Sequence, residues 1–441
     1  MKYFFYSKHN DALGLAIHMA QEGDEIIYYC EEEVAAEAAV GFVKCVKSLP
    51  EGLASHPDYV IFDMVGNGLL AEKLKKSGYK VFGAGKVNDQ LELDRDFATK
   101  VCQSLNIRIP ESTKFADLTQ AQEHIMKNQG RFVLKPIGEA GPEYTYVSDG
   151  PVDMVEYMDW LNHSKEKGTK AKGFILQEYI DGIEISTEQW FSKGKPLYPC
   201  NGTFETKKFA VDNLGPNTGC QTSVVFNYSV KRPRLVNELL RKIYLLLEKS
   251  EYSGPFDMNA MVGNDGKIYW LENSARMGYN AFYAFCETIE VPYGKFISGI
   301  CDGEFESLPV STGIFGYSIR VSVMPFPWSS EDKTVRKFIH ETTKDKPILL
   351  PPGEGEHIWL LDAKKVDGGL ATNGFDNVIL EVTNKGTTAE EAQAKANEIF
   401  NKIHIPNKYA RIRDGIERFQ VQYPKLVNMG FIPEAKGVQN G

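Results

Sequence analysis

Over the first ninety residues, short apolar runs alternate with helix-spaced stretches, and this alternation restricts the fold more than any other feature of the chain. Residues 3–6 and 26–30 have the length and composition of buried strands, and between them Leu13, Ala16, Ile17 and Ala20 recur at helical spacing. Residues 59–62 and 79–82 bracket a second helical stretch, 69–77, which Gly78 stops. Strands alternating with helices predict a parallel, doubly wound α/β sheet over residues 1–90.

From Asp89 the pattern changes. One helix carrying Leu91, Phe97 and Val101 is expected to run toward Pro110, followed by a helix near 117–127, a strand at 132–135, a glycine-containing loop and a strand at 174–179. The segment 165–173, KEKGTKAKG, reads as a solvent loop. After Pro233 a helix over 235–247 precedes strands near 256–262 and 268–271. From Pro309 the chain is strand-rich with one clear helix, in which Thr388 and Glu391 form a capping box ahead of Ala392, Ala396, Ile399 and Ile403.

Charge and cysteine usage narrow the function classes. Lys plus Arg number 50 against 59 Asp plus Glu, a formal charge of −9, and no basic stripe appears, so a nucleic-acid partner is not expected. The seven cysteines are scattered without a Cys-x-x-Cys pair, which argues against zinc and disulfide frameworks and for a reducing compartment. No run of eighteen apolar residues occurs, and the N-terminal apolar stretch is interrupted at His9, so a cytoplasmic protein without a membrane partner is expected.

Three segments can carry chemistry. In FVLKPIGEAG, Lys135 at a strand end can meet phosphate oxygens while a loop containing Gly138 and Gly141 lets backbone amides close over them. The spacing does not fit a Walker P-loop. In LQEYIDGIEIS, a strand delivers Glu178 and Tyr179, a turn follows, and Glu184 lies on the next strand, an arrangement that can hold a base by main-chain groups and ribose hydroxyls by a carboxylate. In FDMNAMVGNDGKIYWLENSARMG, Asp257 and Asn259 share one strand face, and a hairpin turn at Asn264–Gly266 brings Glu272 back toward them. Such oxygen ligands suit Mg²⁺, which keeps few protein ligands and fills its shell with phosphate and water.

The order of these segments resembles an ATP-grasp enzyme. Nearly the whole chain is similar to the glycinamide ribonucleotide synthetase family, the purine-pathway phosphoribosylamine–glycine ligases. VFGAGKVNDQLELDRDFATKVCQSLNIRIPES looks like that family's entry into the ATP-grasp module, LGPNTGCQT carries its Gly-Pro-Asn-Thr-Gly loop, and YARIRDGI looks like its C-terminal ending. The resemblance implies a Rossmann-like substrate domain at 1–90, an ATP-grasp α+β module at 91–308 with a mobile lid at about 113–183, a small C-terminal α+β domain at 309–432 and a flexible tail at 433–441. It implies an ADP-forming C–N ligase that uses ATP with Mg²⁺ or Mn²⁺ and works on small molecules as a monomer or homodimer.

By the same resemblance, Lys135 and Arg95 contact phosphates, with Gly138 and Gly141 beside them. Glu178 and Tyr179 form the adenine hinge, and Glu184 is the ribose acid. Lys207 and Lys208 match a basic pair, Asn217 and Thr218 belong to the loop beside the phosphate site, and Arg276 steadies acyl-phosphate oxygens. Glu272 is the metal acid, with Asn273, Ser274 or Asn259 completing the metal set. The departures fall on the acceptor side: Ser274 stands where the family has an amide, an Asp-Pro-Glu after Gly278 is missing, and the loops at 8–12 and 64–69 differ. The pattern implies either the family's own reaction or the same engine joining a different carboxylate to a different amine, for example in nucleotide or nucleobase modification, with nucleotide binding without turnover as a third reading.

Overall fold

The structure is a computed structural model that describes residues 1–128, 130–137, 145–163, 173–328 and 332–435; Gly138, Gly141, most of 165–173 and the tail from 436 lie outside them. Strands β1 (Lys2–Ser7), β2 (Glu25–Cys30), β3 (Lys44–Cys45), β4 (Tyr59–Phe62) and β5 (Lys80–Phe82) form an all-parallel sheet in the order β3-β2-β1-β4-β5. This is the doubly wound sheet that the alternation predicts. Its strands are near-continuous apolar runs because helices cover both faces.

A second sheet joins β6 (Ser112–Phe115), β7 (Phe132–Pro136), β8 (Tyr146–Val147) and β9 (Phe174–Glu178) in the order β6-β9-β7-β8. With the helices Leu118–Lys127 and Pro151–His163 it encloses a core of its own, built on Leu118, Ile125, Leu134, Met154, Met158 and Leu176.

The largest sheet is antiparallel and collects β10 (Gly182–Ser192), β11 (Lys195–Lys208), β12 (Asn217–Asn227), β13 (Gly254–Gly263), β14 (Ile268–Ser274), β15 (Phe315–Val323), β17 (Ile358–Leu360), β20 (Val378–Gly386) and β21 (Lys408–Tyr409). Between its later strands, β16 (Pro347–Ile348), β18 (Ala363–Val366) and β19 (Gly369–Thr372) make a small separate sheet. Because β12 pairs β15, the large sheet runs without a break through residue 309, where the sequence suggested a new domain. At the other end, Ala435 is buried and its N–H donates to the Tyr423 hydroxyl, so the start of the expected tail is docked.

Three helix expectations change. The single helix expected from Asp89 is two, Lys86–Leu93 and Arg95–Ser104, because Asp94 caps the second by accepting from the Phe97 N–H. The helix expected over 235–247 is also two, Arg234–Glu238 and Leu240–Lys249, broken at buried Leu239, and no residue there signals a break. The last third holds three helices rather than one: Lys333–Thr343, capped by Asp332, Ala389–Lys402, and Glu417–Asn428. The last contains Pro424, which reads as a helix breaker in sequence. At Ala389–Lys402 the Thr388 hydroxyl accepts from the Glu391 N–H, while the Glu391 carboxylate takes the N–H of Thr387.

Candidate active site

Side chains of a strand alternate between faces, and on four neighbouring strands of the large sheet the polar residues fall on the same one. They are Glu184, Ser186 and Glu188 of β10; Asn201, Thr203, Glu205 and Lys207 of β11; Asp257 and Asn259 of β13; and Glu272 and Ser274 of β14. Register fixes their neighbours. Asn259 lies opposite both Ser186 and Glu272, and Asp257 opposite both Glu188 and Ser274.

Lys207 is the hub of the upper end. Its Nζ is 3.0 Å from Glu184 Oε1, 3.5 Å from Glu205 Oε2 and 3.6 Å from Glu272 Oε1. Asn259 Nδ2 donates to Glu184 Oε1 at 2.8 Å and reaches Glu272 Oε1 at 3.4 Å. Arg418, from the helix Glu417–Asn428, donates to the carbonyls of Glu184 and Glu205 and lies 3.4 Å from Glu184 Oε2. Burial alone would raise the Glu184 carboxyl, but the Lys207 and Arg418 charges and the Asn259 hydrogen bond carry it well below the usual carboxylate range. Lys207 holds Glu272 low as well, helped by the charges of Arg95 and Lys135.

From the second sheet Lys135 faces this cluster. Burial, then the Arg95 charge, push its ammonium down to about 7, while Glu272 and Glu184 pull the other way. Arg95, Lys135, Glu184, Lys207 and Glu272 therefore share one electrostatic neighbourhood although they come from five elements. A phosphate oxygen would restore the Lys135 charge, so nucleotide affinity should be highest below pH 7 and fall as pH rises through that value. Lys135→Ala is expected to weaken ATP binding about tenfold or more, as for a lost charge-assisted hydrogen bond, with no fall in melting temperature. Calorimetric titration with ATP between pH 6 and 9 checks both; an unchanged dissociation constant in the variant would remove Lys135 from the phosphate site.

Other expected residues lie elsewhere. Asn273 is corrected: it points to the far side of β14, where Oδ1 accepts from Trp270 Nε1 at 2.7 Å and Nδ2 donates to the Leu91 carbonyl at 3.1 Å, so strand alternation removes it from the metal set. Lys208 turns away from Lys207 and donates to the Gly215 carbonyl. Asn217 and Thr218, expected in a loop, open β12; Asn217 pairs with Lys208, and the Thr218 hydroxyl donates to the Lys207 carbonyl at 3.4 Å. Arg276 is held by Glu92 through Nε at 2.8 Å, and Glu92 also accepts from the Ala275 N–H. At the hinge the N–H groups of Glu178 and Tyr179 are taken by the carbonyls of Glu111 and Arg131, and the Arg131 guanidinium stacks 3.8 Å from the Tyr179 ring centre, so those two amides are not free to hold a base.

Four residues of this face escape a motif reading: Arg418, Glu205, Glu188 and Glu92. The charged residues on β10 and β11 did leave a signal, a step of four residues between Glu184 and Glu188 and of two between Glu205 and Lys207.

The donor set accommodates Mg²⁺. Glu272 supplies a half-exposed carboxylate, and Asn259 Oδ1 is a buried acceptor with no hydrogen-bond partner among the described residues. One carboxylate, one amide oxygen and the Ser274 hydroxyl are a sparse set of the kind a cation completes with phosphate oxygens and water.

Residues 93–279 match the family described as phosphoribosylglycinamide synthetase, ATP-grasp (A) domain. That segment is similar to the ATP-grasp domain of glycinamide ribonucleotide synthetases. The chain is 25% identical over 222 residues to a phosphoribosylamine–glycine ligase of Clostridium acetobutylicum, covering 47% of this chain and 51% of that one, so it spans about half the length of that curated relative. The phosphoribosylamine–glycine ligase of Thermotoga maritima is 25% identical over 83% of this chain and 86% of its own. A crystal structure of the Thermotoga maritima ligase matches the fold with a TM-score of 0.70 at 21% identity, covering 93% of this chain and 99% of that one. The biotin carboxylase domain of a Hydrogenobacter thermophilus 2-oxoglutarate carboxylase, crystallised with MgADP, matches with a TM-score of 0.65 at 12% identity, covering 98% and 99%. Among the described residues of this ATP-grasp protein, no helix is long and apolar enough to cross a membrane.

Proposed function

We propose that the protein is an ATP-dependent, ADP-forming carboxylate–amine ligase resembling the phosphoribosylamine–glycine ligases of purine biosynthesis. The observation that carries this reading is the convergence of Arg95 and Lys135 on Glu272 and the Lys207 cluster. In the reaction, a substrate carboxylate takes the terminal phosphoryl group of ATP, and an amine then attacks the acyl phosphate, forming the C–N bond and releasing phosphate.

The chain's own groups act by positioning and charge neutralisation. Lys135 and Arg95 meet phosphate oxygens, and Glu184 with Glu178 and Tyr179 borders the nucleoside. Glu272, Asn259 and Ser274 hold the metal ion, which when bound neutralises charge on the transferring phosphoryl group. Arg276, oriented by Glu92, steadies phosphate and acyl-phosphate oxygens, and Lys207 fixes the three acids around it. The protein works in the cytoplasm, as a monomer or homodimer; all seven cysteines are free and six are buried. The lid over 113–183 is the unit with its own core.

A different amine acceptor is favoured by one observation. His9, Asn10 and Asp11 of the N-terminal loop line a cavity with Tyr279, Arg320, Asp362 and Asp376. Arg320 is the only cation among the lining residues other than His9 and is paired with Glu381, so the acids dominate where a phosphoribosyl acceptor would need positive charge. The test is ADP release from ATP and Mg²⁺ with phosphoribosylamine plus glycine against panels of other amino acids and amines. Turnover that needs both phosphoribosylamine and glycine supports the family's own reaction; turnover only with another pair supports the changed acceptor, and silence with every pair overturns the ligase reading.

A further inference from the structure

The polar face continues beyond the Lys207 cluster. One register row below Asn259 and Glu272 stand Glu188, Asp257 and Ser274, with Asn201 beside Glu188, while Thr203 lies opposite Ser186 in the row above. Val225 and the rings of Phe282 and Phe285 close the other side, leaving a cavity of about 50 Å³. That is space for about three or four groups the size of water, at roughly 10–15 Å³ each, and too little for a sugar.

The wall of this cavity is acidic and incompletely paired. Glu188, Glu205 and Asp257 line it, and no lysine or arginine does. Glu188 Oε1 accepts from Trp190 Nε1 at 3.0 Å and Asn201 Nδ2 at 2.8 Å, and Asp257 Oδ1 accepts from Ser186 Oγ at 3.2 Å. The second oxygen of each carboxylate has no hydrogen-bond partner among the described residues. Thr203, 5% exposed, also lines the cavity with a hydroxyl that has no partner among them. Glu188 and Asp257 stand opposite each other across β10 and β13, so a cation in the cavity would meet both carboxylates.

We propose that the cavity receives a protonated amino group carried by the carboxylate substrate several bonds from the carboxyl that is activated, so that this substrate is an ω-amino or diamino acid. The inference rests on the ligase reading above, with the reacting carboxyl set at the Glu272 and Asn259 row, where it would meet the metal-bound phosphoryl group. The acid row lies two residues further along the strands, about 7 Å away. Glycine carries its ammonium on the carbon next to its carboxylate and cannot bridge the two rows. A chain of four or five carbons can, with its methylenes against Phe282 and Phe285.

The test uses the full-length protein with ornithine, 4-aminobutyrate, glycine and norvaline, which has the ornithine carbon chain without the distal cation. ADP release is measured with Mg-ATP and hydroxylamine, which takes the acyl group from the acyl phosphate in place of the amine and frees phosphate, and melting temperature with a non-hydrolysable ATP analogue. Ornithine or 4-aminobutyrate should release ADP at least tenfold faster than glycine and norvaline and raise the melting temperature by about 2 °C or more. In Asp257→Asn the KM for the favoured amino acid should rise tenfold or more with a smaller change in kcat. Release with glycine that ornithine and 4-aminobutyrate do not exceed overturns the proposal and leaves the ligase standing. A melting shift with ornithine that D257N abolishes, without ADP release, supports the cavity and counts against turnover. Neither shift nor release with any of the four overturns the proposal; the ligase reading is then judged by the broader panel above.

Discussion

Replacing Glu272 with glutamine should lower ATP-dependent turnover by about 100-fold while leaving the melting temperature close to that of the parent. The two effects separate because of where the carboxylate sits. It is 53% exposed and 3.6 Å from Lys207, so as an ion pair it contributes about 0–1 kcal/mol to stability. As a metal ligand it is the only acid in the Glu272, Asn259 and Ser274 set, and an amide there leaves the cation no anionic protein ligand. Even residues that merely orient metal ligands are worth about 10–100-fold. ADP release measured across a range of Mg²⁺ concentrations checks the assignment: E272Q should need more Mg²⁺ for whatever turnover remains. Residual turnover above one-tenth of the parent at the parent's Mg²⁺ optimum would take Glu272 out of the metal site.

How far the sequence foretold these elements depended on how local their causes are. Four strands of the parallel sheet were legible because each announces itself within a few residues, and β4 begins and ends where its apolar run does, whereas β3, two exposed residues, left no signal. The turn of Asn, Asp and Gly was legible for the same reason, but the register that sets Glu272 opposite Asn259 comes from a one-residue bulge between Asn259 and Ala260, which no residue announces. Asn273 misled because a motif counts positions along the chain while a strand sorts them by face, and a one-residue step is a change of side. Arg418 was invisible because it lies 234 residues from Glu184, and nothing local tells an arginine on a C-terminal helix that it will cap the carbonyls of β10 and β11. Pro424 hid that helix altogether. The acid row on β10 and β13 was half visible: its period of two can be read from the strands, but only the packing of Phe282 and Phe285 above it turns a polar stripe into a cavity.

Lys207→Met should destabilise the fold at pH 7 by about 3 kcal/mol, the low end of what breaking a buried ionic cluster costs, since Lys207 keeps 28% of its side-chain exposure. The thioether fills the space of the lysine stem and leaves Glu184, Glu205 and Glu272 facing one another without their shared cation. The pH dependence follows from the carboxyls. In the parent, Glu184 is held below its usual value, so it contributes stability that is present above the unfolded carboxylate range, about pH 4.3, and is lost as pH falls toward its depressed value. In the variant, Arg418 and Asn259 still hold Glu184, but mutual repulsion raises the carboxyls of the cluster, and protonating them on acidification relieves the strain. The stability gap between parent and variant should therefore be widest at neutral pH and narrow as pH falls to about 4.5, measured by urea unfolding at several pH values. A gap that stays constant with pH would mean that Lys207 acts through packing rather than charge. Nucleotide binding gives a separate readout, because the freed carboxylates would confront the phosphates that Lys135 and Arg95 attract, and ATP affinity in K207M should fall most at the pH where the stability gap is widest.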